Sequence, residues 1–388
     1  MDARNASTEE KSKTKERRHR RTRIVCVSDT HGYTPSQAGF KLPPGDVLIH
    51  AGDLTNQGGM SELHRTVEWI SKADYEVKIL IAGNHDITLN PEFYAEHGSH
   101  FHNQSPENPE RCIELLKTAS PSIVFLNHSS ATIRLTKHDG PRTVFKVFGS
   151  PYSRFQGNWA FGYESADAQK LWSQIPLDTD IVVTHTPPHS HCDRLREGAS
   201  VGCEGLRQAL RKVRPMLAVC GHVHEGRGYE RVRWDISSSP DNDNTSGEEE
   251  SERGILPPIG SKKQSLVDLT GKKQRRLDNS GCAGYDNQVS AAASTLSLGD
   301  DQILPPIVVR PPSVSQIGGF PGMPIPLSEN APERLDHVEY GARQGRKETC
   351  IVNAAIMATS WPHRGGKKFH APIVIDMDLP VWNEDPET

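Results

Sequence analysis

The sequence predicts a layered α/β domain interrupted by a long insertion. Five short apolar runs each end at a polar motif built from Asp, Asn, Gly or His. Helical patterns alternate with those runs. Over residues 237–344 the composition turns to Ser, Gly, Pro, Asn and charge before strand-like sequence returns. Near-continuous apolar runs of this length read as strands buried on both faces, and their alternation with helices is the mark of a layered core.

The elements follow in order. Lys11 to Arg23 is strongly basic and carries no apolar residue, so residues 1–21 read as a disordered, solvated tail, with nuclear import or an anionic surface as its other use. Ile24-Val25-Cys26-Val27 is a β-branched run ending at Asp29-Thr30-His31. Asp46 to His50 repeats the arrangement and ends at Gly52-Asp53. Ser61 to Ala73 has helical spacing, with Leu63, Val67 and Ile70 on one stripe and Ser61 as its N-cap. Val77 to Ile81 ends at Gly83-Asn84-His85-Asp86, where Asp86 reads as a further N-cap. Thr132–Leu135 and Thr143–Phe148 alternate around His138-Asp139-Gly140, which predicts a hairpin extending a sheet edge or opening a second sheet. Ile181 to Val183 ends at His185, and Met216 to Val219 ends at Gly221-His222-Val223-His224. Between them, Gly202 to Val213 spaces Leu206, Leu210 and Val213 as a helix does.

After Asp235 the chain cannot bury enough apolar surface to offset its ordering entropy. Residues 236–344 therefore read as a low-complexity insertion. Ile255-Leu256-Pro257-Pro258-Ile259 recurs as Ile303-Leu304-Pro305-Pro306-Ile307. This is too little for a structural repeat, and it is either chance in a biased linker or a pair of peptide-docking sites. Cys350 to Ala355 and Pro372 to Asp376 read as the last strands of the same domain. The domain is then discontinuous, 22–235 plus 345–380, which is tolerable because loop-closure entropy grows slowly with length.

Composition excludes several classes. Of 388 residues 35% are hydrophobic, and the net charge is -4. That balance argues against a nucleic-acid-binding surface. No run approaches the ~20 apolar residues that span a bilayer, and no apolar leader follows the first residues, so neither membrane nor secretion is expected. Seven cysteines lie scattered without a C-x-x-C, which points to a reducing compartment, cytoplasm first and nucleus second.

In open α/β sheets, ligands bind outside the carboxyl ends of the strands, and all five motifs fall there. Asp29 and His31, one residue apart, can chelate one cation. Asp53 has two oxygens and can bridge two. Asn84 adds a neutral oxygen, and His185, His222 and His224 complete two nitrogen-rich half-sites. The oxygen and nitrogen donors suit a pair of divalent ions, Mn, Fe, Zn or Co. His85 follows a ligand and would face the substrate. Trp159 and Phe161 either line a substrate pocket, stacking on a nucleobase, or pack in the core. His50 reads as a core histidine or a donor behind the ligands, His189 and His191 as solvated loop residues, and His97, His100 and His102 as surface loop.

Taken together, D-x-H, G-D, G-N-H-D, a lone His and G-H-x-H resemble the calcineurin-like metallophosphoesterase superfamily. Phe148-Gly149-Ser150-Pro151, Asn158 to Phe161, Val201-Gly202-Cys203 and Val352-Asn353-Ala354 are similar to its small cyclic-nucleotide-phosphodiesterase-like branch, found in animal brain and fungi. The resemblance implies a four-layer fold, a central β-sandwich flanked by helices, and a dinuclear metal centre. It implies that Asp29, His31, Asp53 and His224 hold one ion and Asp53, Asn84, His185 and His222 the other. A bridging hydroxide would attack phosphorus and His85 would protonate the leaving group. Where the superfamily's protein phosphatases carry G-D-x-x-D-R-G, this chain has Asn56 and Gln57 at the Asp and Arg. Losing a bidentate phosphate clamp suits a phosphodiester, with one negative charge, over a monoester. The expected activity is hydrolysis of small phosphodiesters such as cyclic nucleotides. The alternative is a weakly catalytic nucleotide-binding scaffold whose insertion docks a peptide partner.

Overall fold

Alternation along each strand decides the layering. The computed structural model describes residues 19–155, 157–235, 249–279, 307–310, 345–359, 362–363 and 366–382. In β1 (His19–Val27), Ile24 and Cys26 join one core while Val25 and Val27 join another. A strand covered on both sides needs a layer on each.

The strands that follow are β2 (Val47–Ala51), β3 (Val77–Ile81), β4 (Ile123–Phe125), β5 (Ser129–Arg134), β6 (Val144–Ser150), β7 (Ser153–Arg154), β8 (Gly162–Tyr163) and β9 (Ile181–Thr184). After them come β10 (Leu217–Cys220), β11 (Gly228–Arg233), β12 (Glu250–Arg253), β13 (Ser265–Asp268), β14 (Ile307–Arg310), β15 (Glu348–Asn353) and β16 (Ile373–Pro380). One sheet has the order β13-β16-β1-β2-β3-β4, a second β12-β11-β15-β10-β9-β6-β5-β14, and β7 pairs with β8. β1 to β4 run parallel, as do β6, β9, β10 and β15.

The central core lies between the two sheets, where Ile24, Ile49 and Ile79 face Val147, Val183, Val219 and Val352. After the short α1 (Pro35–Ala38), the outer face of the first sheet packs on α2 (Met60–Lys72) and, beyond α3 (Pro91–Phe101), on α4 (Pro109–Thr118), through Leu63, Val67, Ile70, Cys112 and Leu116. The outer face of the second packs on α5 (Ala168–Trp172) and α6 (Glu204–Val213) through Trp172, Leu206, Leu210 and Val213. Burying each such side chain contributes roughly 1.5–3 kcal/mol before the entropy it costs. The result is the four-layer α–β–β–α sandwich expected. No described helix is long and apolar enough to cross a membrane.

The seven strands, two helices and hairpin read from the sequence form within a few residues of expectation; β5 and β6 pair antiparallel from Ser129↔Gly149 to Arg134↔Val144. Several local readings are corrected. Gly59, not Ser61, caps α2, and makes no side-chain bond there. Asp86 does hold the N-cap position, but of a short 3-10 turn (Ile87–Leu89) and without a side-chain bond to it. His97 and His100 lie on a helix (Pro91–Phe101), and His102 bonds Tyr94 through Nδ1 at 3.0 Å. The basic tail is shorter than read, since β1 begins at His19 and Arg21 and Arg23 pair with Asp376 of β16.

The expected insertion is also narrower in the fold. Residues 249–279 return to both sheets, β12 beside β11 and β13 beside β16. Apolar residues are sparse there, but Val267 and Leu269 reach the central core. The remainder of 236–344, apart from β14, lies outside the described residues, as do residues 1–18. Of the recurring pentapeptide, Ile255 is 95% exposed while Leu256 packs on the core; in the second copy only Ile307 is described, opening β14.

Candidate metal centre

Register brings the motifs together. Ile24 to Val27 align with Val47 to His50, and Val47 to Ala51 with Val77 to Ile81, so three strands end side by side. In the second sheet β9, β10 and β15 do likewise. The two sets of ends are stitched: Asp29 N–H donates to Gly52 O at 3.0 Å, Gly221 N–H to His185 O at 3.1 Å, and Ile356 N–H to Ser28 O at 2.8 Å. Chain reversals this tight demand unusual backbone. Asp29, His31, Asp53 and His222 have φ of 56°, 45°, 53° and 65°. Non-glycine residues rarely adopt that region, at a cost of about 1–3 kcal/mol each. Only glycine fits between them. A Cβ on Gly83 would strike Asp53 and lie 2.7 Å from His185 Cε1, and one on Gly221 would strike Ser28 and Asp29.

All seven predicted ligands meet. Asp29 Oδ1 lies 3.4 Å from His224 Nε2, and His31 Nε2 is 3.4 Å from that same nitrogen. On the other side, Asn84 Oδ1 is 2.9 Å from both His185 Nε2 and His222 Nδ1. Asp53 stands between the groups, Oδ1 3.4 Å from His185 Nε2 and Oδ2 3.7 Å from His31 Nε2. Ligand atoms of Asp29, His31 and His224 lie within 4.8 Å of one another, as do those of Asp29, Asp53 and His185.

The electrostatics favour a cation. Burial would raise the carboxyl of Asp29, but its bond to His224 and the charges of His224 and His185 hold it at about 2. Asp53 is likewise held well below the usual range: burial opposes this, and His185 and His85 outweigh it. Burial pushes His31 down to about 3 and, with His185 beside it, His222 down to about 4, leaving two neutral imidazoles with lone pairs. His31 Nε2 and His224 Nε2 lie 3.4 Å apart, and His31 Nδ1 is buried without a hydrogen-bond partner among the described residues. Two anionic carboxylates, an amide oxygen and converging imidazoles are the donors of a hard-to-borderline divalent ion. The residues fit such a group.

His85 sits at the rim. Its N–H donates to Asp53 Oδ1 at 2.9 Å, and its Nδ1–H donates to the carbonyl of Asn56 at 2.7 Å. A carbonyl only accepts, so Nδ1 carries the hydrogen of that bond. The main chain of Asn56 thus holds the ring, although the residue's side chain departs from the superfamily's Asp. The Trp159 ring lies 3.9 Å from that of His85, inclined by 31°. Phe161 is 3% exposed and packs with Ile356 and Val374 in the core behind the first sheet. Of the two aromatics, Trp159 reaches the site and Phe161 does not.

Other residues brace the centre from behind. Asp86 is buried and accepts from Gly83 N–H (2.8 Å), Leu54 N–H (3.1 Å), Thr55 N–H (2.8 Å) and Thr55 Oγ1–H (2.7 Å), locking the two loops that carry Asp53 and Asn84. Asn353 Nδ2 donates to the carbonyls of Val223 (2.8 Å), Cys192 (3.0 Å) and Gly221 (3.3 Å), which fixes the His222–His224 loop. His50 bonds Thr30 Oγ1 through Nε2 at 2.9 Å, behind the Asp29–His31 pair. His191, read as solvated, is 4% exposed: Nδ1 meets Glu230 at 2.9 Å and Nε2 meets Glu249 at 3.2 Å. Glu249 belongs to the stretch read as insertion, so this contact was invisible in local sequence. His189, read as solvated, is half-buried beside Glu204 at 3.4 Å.

Comparison with known proteins agrees with the geometry. The model of the calcineurin-like phosphoesterase family matches residues 22–226. Metallophosphoesterase domain-containing protein 1 of Homo sapiens is 38% identical over 214 residues, 53% of this chain and 62% of that protein. A UPF0046 protein of Caenorhabditis elegans is 34% identical over 215 residues, 53% and 52% of the two chains. A protein of Emericella nidulans named probable rhamnogalacturonate lyase C is 41% identical over 216 residues, 55% of this chain and 18% of that one. The chain spans less than two thirds of each of these relatives. The family model covers more than half of the chain and takes in all five motifs, and the protein belongs to the calcineurin-like phosphoesterase family.

Proposed function

We propose that the protein is a metal-dependent phosphodiesterase acting on small phosphodiesters, cyclic nucleotides among them. In this reading Asp29, His31, Asp53 and His224 hold one divalent ion, and Asp53, Asn84, His185 and His222 the second. The observation that carries it is Asp53, whose two oxygens face His185 on one side and His31 on the other. Paired divalent ions supply a water acidic enough to attack at neutral pH and positive charge for the phosphoryl oxygens.

The chain's own groups do the rest. His85, braced by Asn56 O and by the face of Trp159, presents Nε2 as the proton donor to the departing alkoxide. Asn84 contributes an oxygen without charge, which keeps the cluster's negative charge at that of two carboxylates. Gln57 stands exposed where a bidentate Arg would favour a dianionic monoester.

The test is turnover by purified protein, supplied with Mn²⁺, on aryl monoesters, aryl diesters and cyclic nucleotides. Metal-dependent hydrolysis with diesters preferred is the expected result. Tight nucleotide binding without metal-dependent turnover would replace this reading by the scaffold one.

A further inference from the structure

A cavity of about 230 Å³ opens beside His31 and is lined by Tyr33, Gln37, Asn56, Glu62, Arg65 and Lys367. It shares a wall with the centre, since His31 lines it and Asn56 is the residue whose carbonyl holds His85. Two cations line it. Lys367 Nζ donates to Tyr33 Oη at 2.8 Å and lies 4.7 Å from the centre of that ring. Arg65 makes no ion pair or hydrogen bond among the described residues. The acidic wall residue is already committed: Glu62 accepts from the N–H groups of Asn56 (3.3 Å) and Gln57 (3.1 Å). Glu62 and Arg65, three residues apart on α2, do not pair.

We infer that this cavity is the subsite for one of the alcohol halves of the ester, and that Lys367 and Arg65 select a half bearing its own negative charge. The inference rests on the phosphoesterase reading above and narrows its substrate class to phosphodiesters with an anionic substituent, a carboxylate or a further phosphate. A cation in water is neutral to an uncharged arm and attractive to an anionic one. Tyr33, which lies beside Phe369 with ring centres 5.1 Å apart, adds an aromatic side chain to the lining. Lys367 lies outside the matched 22–226 stretch and Arg65 within it, so part of the specificity is supplied from beyond that stretch.

Two probes decide it: 4-nitrophenyl 3-carboxyphenyl phosphate and the methyl ester of its carboxylate. The carboxylate probe is expected to have the higher kcat/KM, and Lys367→Met or Arg65→Gln to lower that preference by roughly five- to tenfold through KM. Turnover of the methyl ester stays unchanged in both variants, which also reports that they fold. As a readout free of turnover, excess 3-carboxyphenyl phosphate is expected to protect Lys367 from acetylation, measured by mass spectrometry, and the methyl ester to leave it open. Hydrolysis of both probes with equal kcat/KM, or a preference untouched by either substitution, overturns the subsite alone. Hydrolysis of neither probe overturns the phosphoesterase reading and this inference with it.

Discussion

The two halves of the centre are held in different ways. Asp29, His31, Asp53, Asn84 and His85 come from loops after β1, β2 and β3, which are parallel neighbours in one sheet and close in sequence. Their brace, Asp86, lies in the same motif as two of the residues it positions. His185, His222 and His224 come from the second sheet, and their brace is Asn353 at the end of β15. That strand follows the insertion, and the carbonyls Asn353 holds lie 130 to 161 positions earlier in the chain. One half is organised locally and the other by a returning strand. Damage to the two should therefore read out differently.

The largest effect is expected at the shared residue. Asp53→Ala removes the carboxylate that faces both groups, and bound metal, measured by elemental analysis, should fall for both together. Activity should drop by well over a hundredfold, beyond the 10–100-fold typical of residues behind the ligands. Retention of one full equivalent would break the idea of a common bridge.

His85→Ala should lower diester turnover by roughly 10²–10⁴ with metal content unchanged. The loss should shrink as the leaving group becomes more acidic and needs its proton less. An undiminished rate with a simple alkyl leaving group would remove His85 from the reaction.

The braces sharpen the contrast. Asp86→Ala leaves buried N–H donors unpaired and should destabilise the fold by about 3 kcal/mol in denaturant unfolding. Asn353→Ala should cost about 2 kcal/mol and, since the loop it fixes carries His222 to one ion and His224 to the other, weaken both equivalents by roughly 10–100-fold. Full retention of both metals by Asn353→Ala would dissolve the distinction between the halves.

The smallest expected effect is pH-dependent. Burial disfavours charge on His191, but Glu230 and Glu249 outweigh it and raise the imidazole to about 9. A folded value above the unfolded one of about 6.5 means the contribution is complete below pH 6.5 and lost as pH rises through 9. Its size is on the order of 2 kcal/mol. His191→Gln should flatten the unfolding free energy across that window, and an unchanged slope would show that His191 titrates alike in both states.

Much of this was legible early because its signals are local. Apolar runs ending in Asp, Asn and His name both the strands and the residues at their ends, since a strand buried on both faces admits little else. The near-continuous runs say only that their strands are covered on both faces; the four layers are what the family resemblance implies. What escaped was set by partners far along the chain. His191 looks like any loop histidine until Glu230 and Glu249 arrive on β11 and beside β12. Phe161 and Trp159 stand two residues apart with equal claims, and only packing sends one to the core and the other to His85. Val267 and Leu269 were lost in a polar background that hides a short edge strand.

By itself, then, the order of residues determined which side chains have metal-binding chemistry and which segments carry them, because donor type and strand periodicity are properties of neighbouring residues. The tertiary structure alone decided that seven donors share one small volume, that Asn353 and Asp86 hold them there, and that Lys367 and Arg65 face a common cavity. The physical reason is range. Propensity and burial pattern act over a turn or a strand, whereas a cage spanning two sheets exists only when register, layer packing and a strand that returns after the insertion coincide.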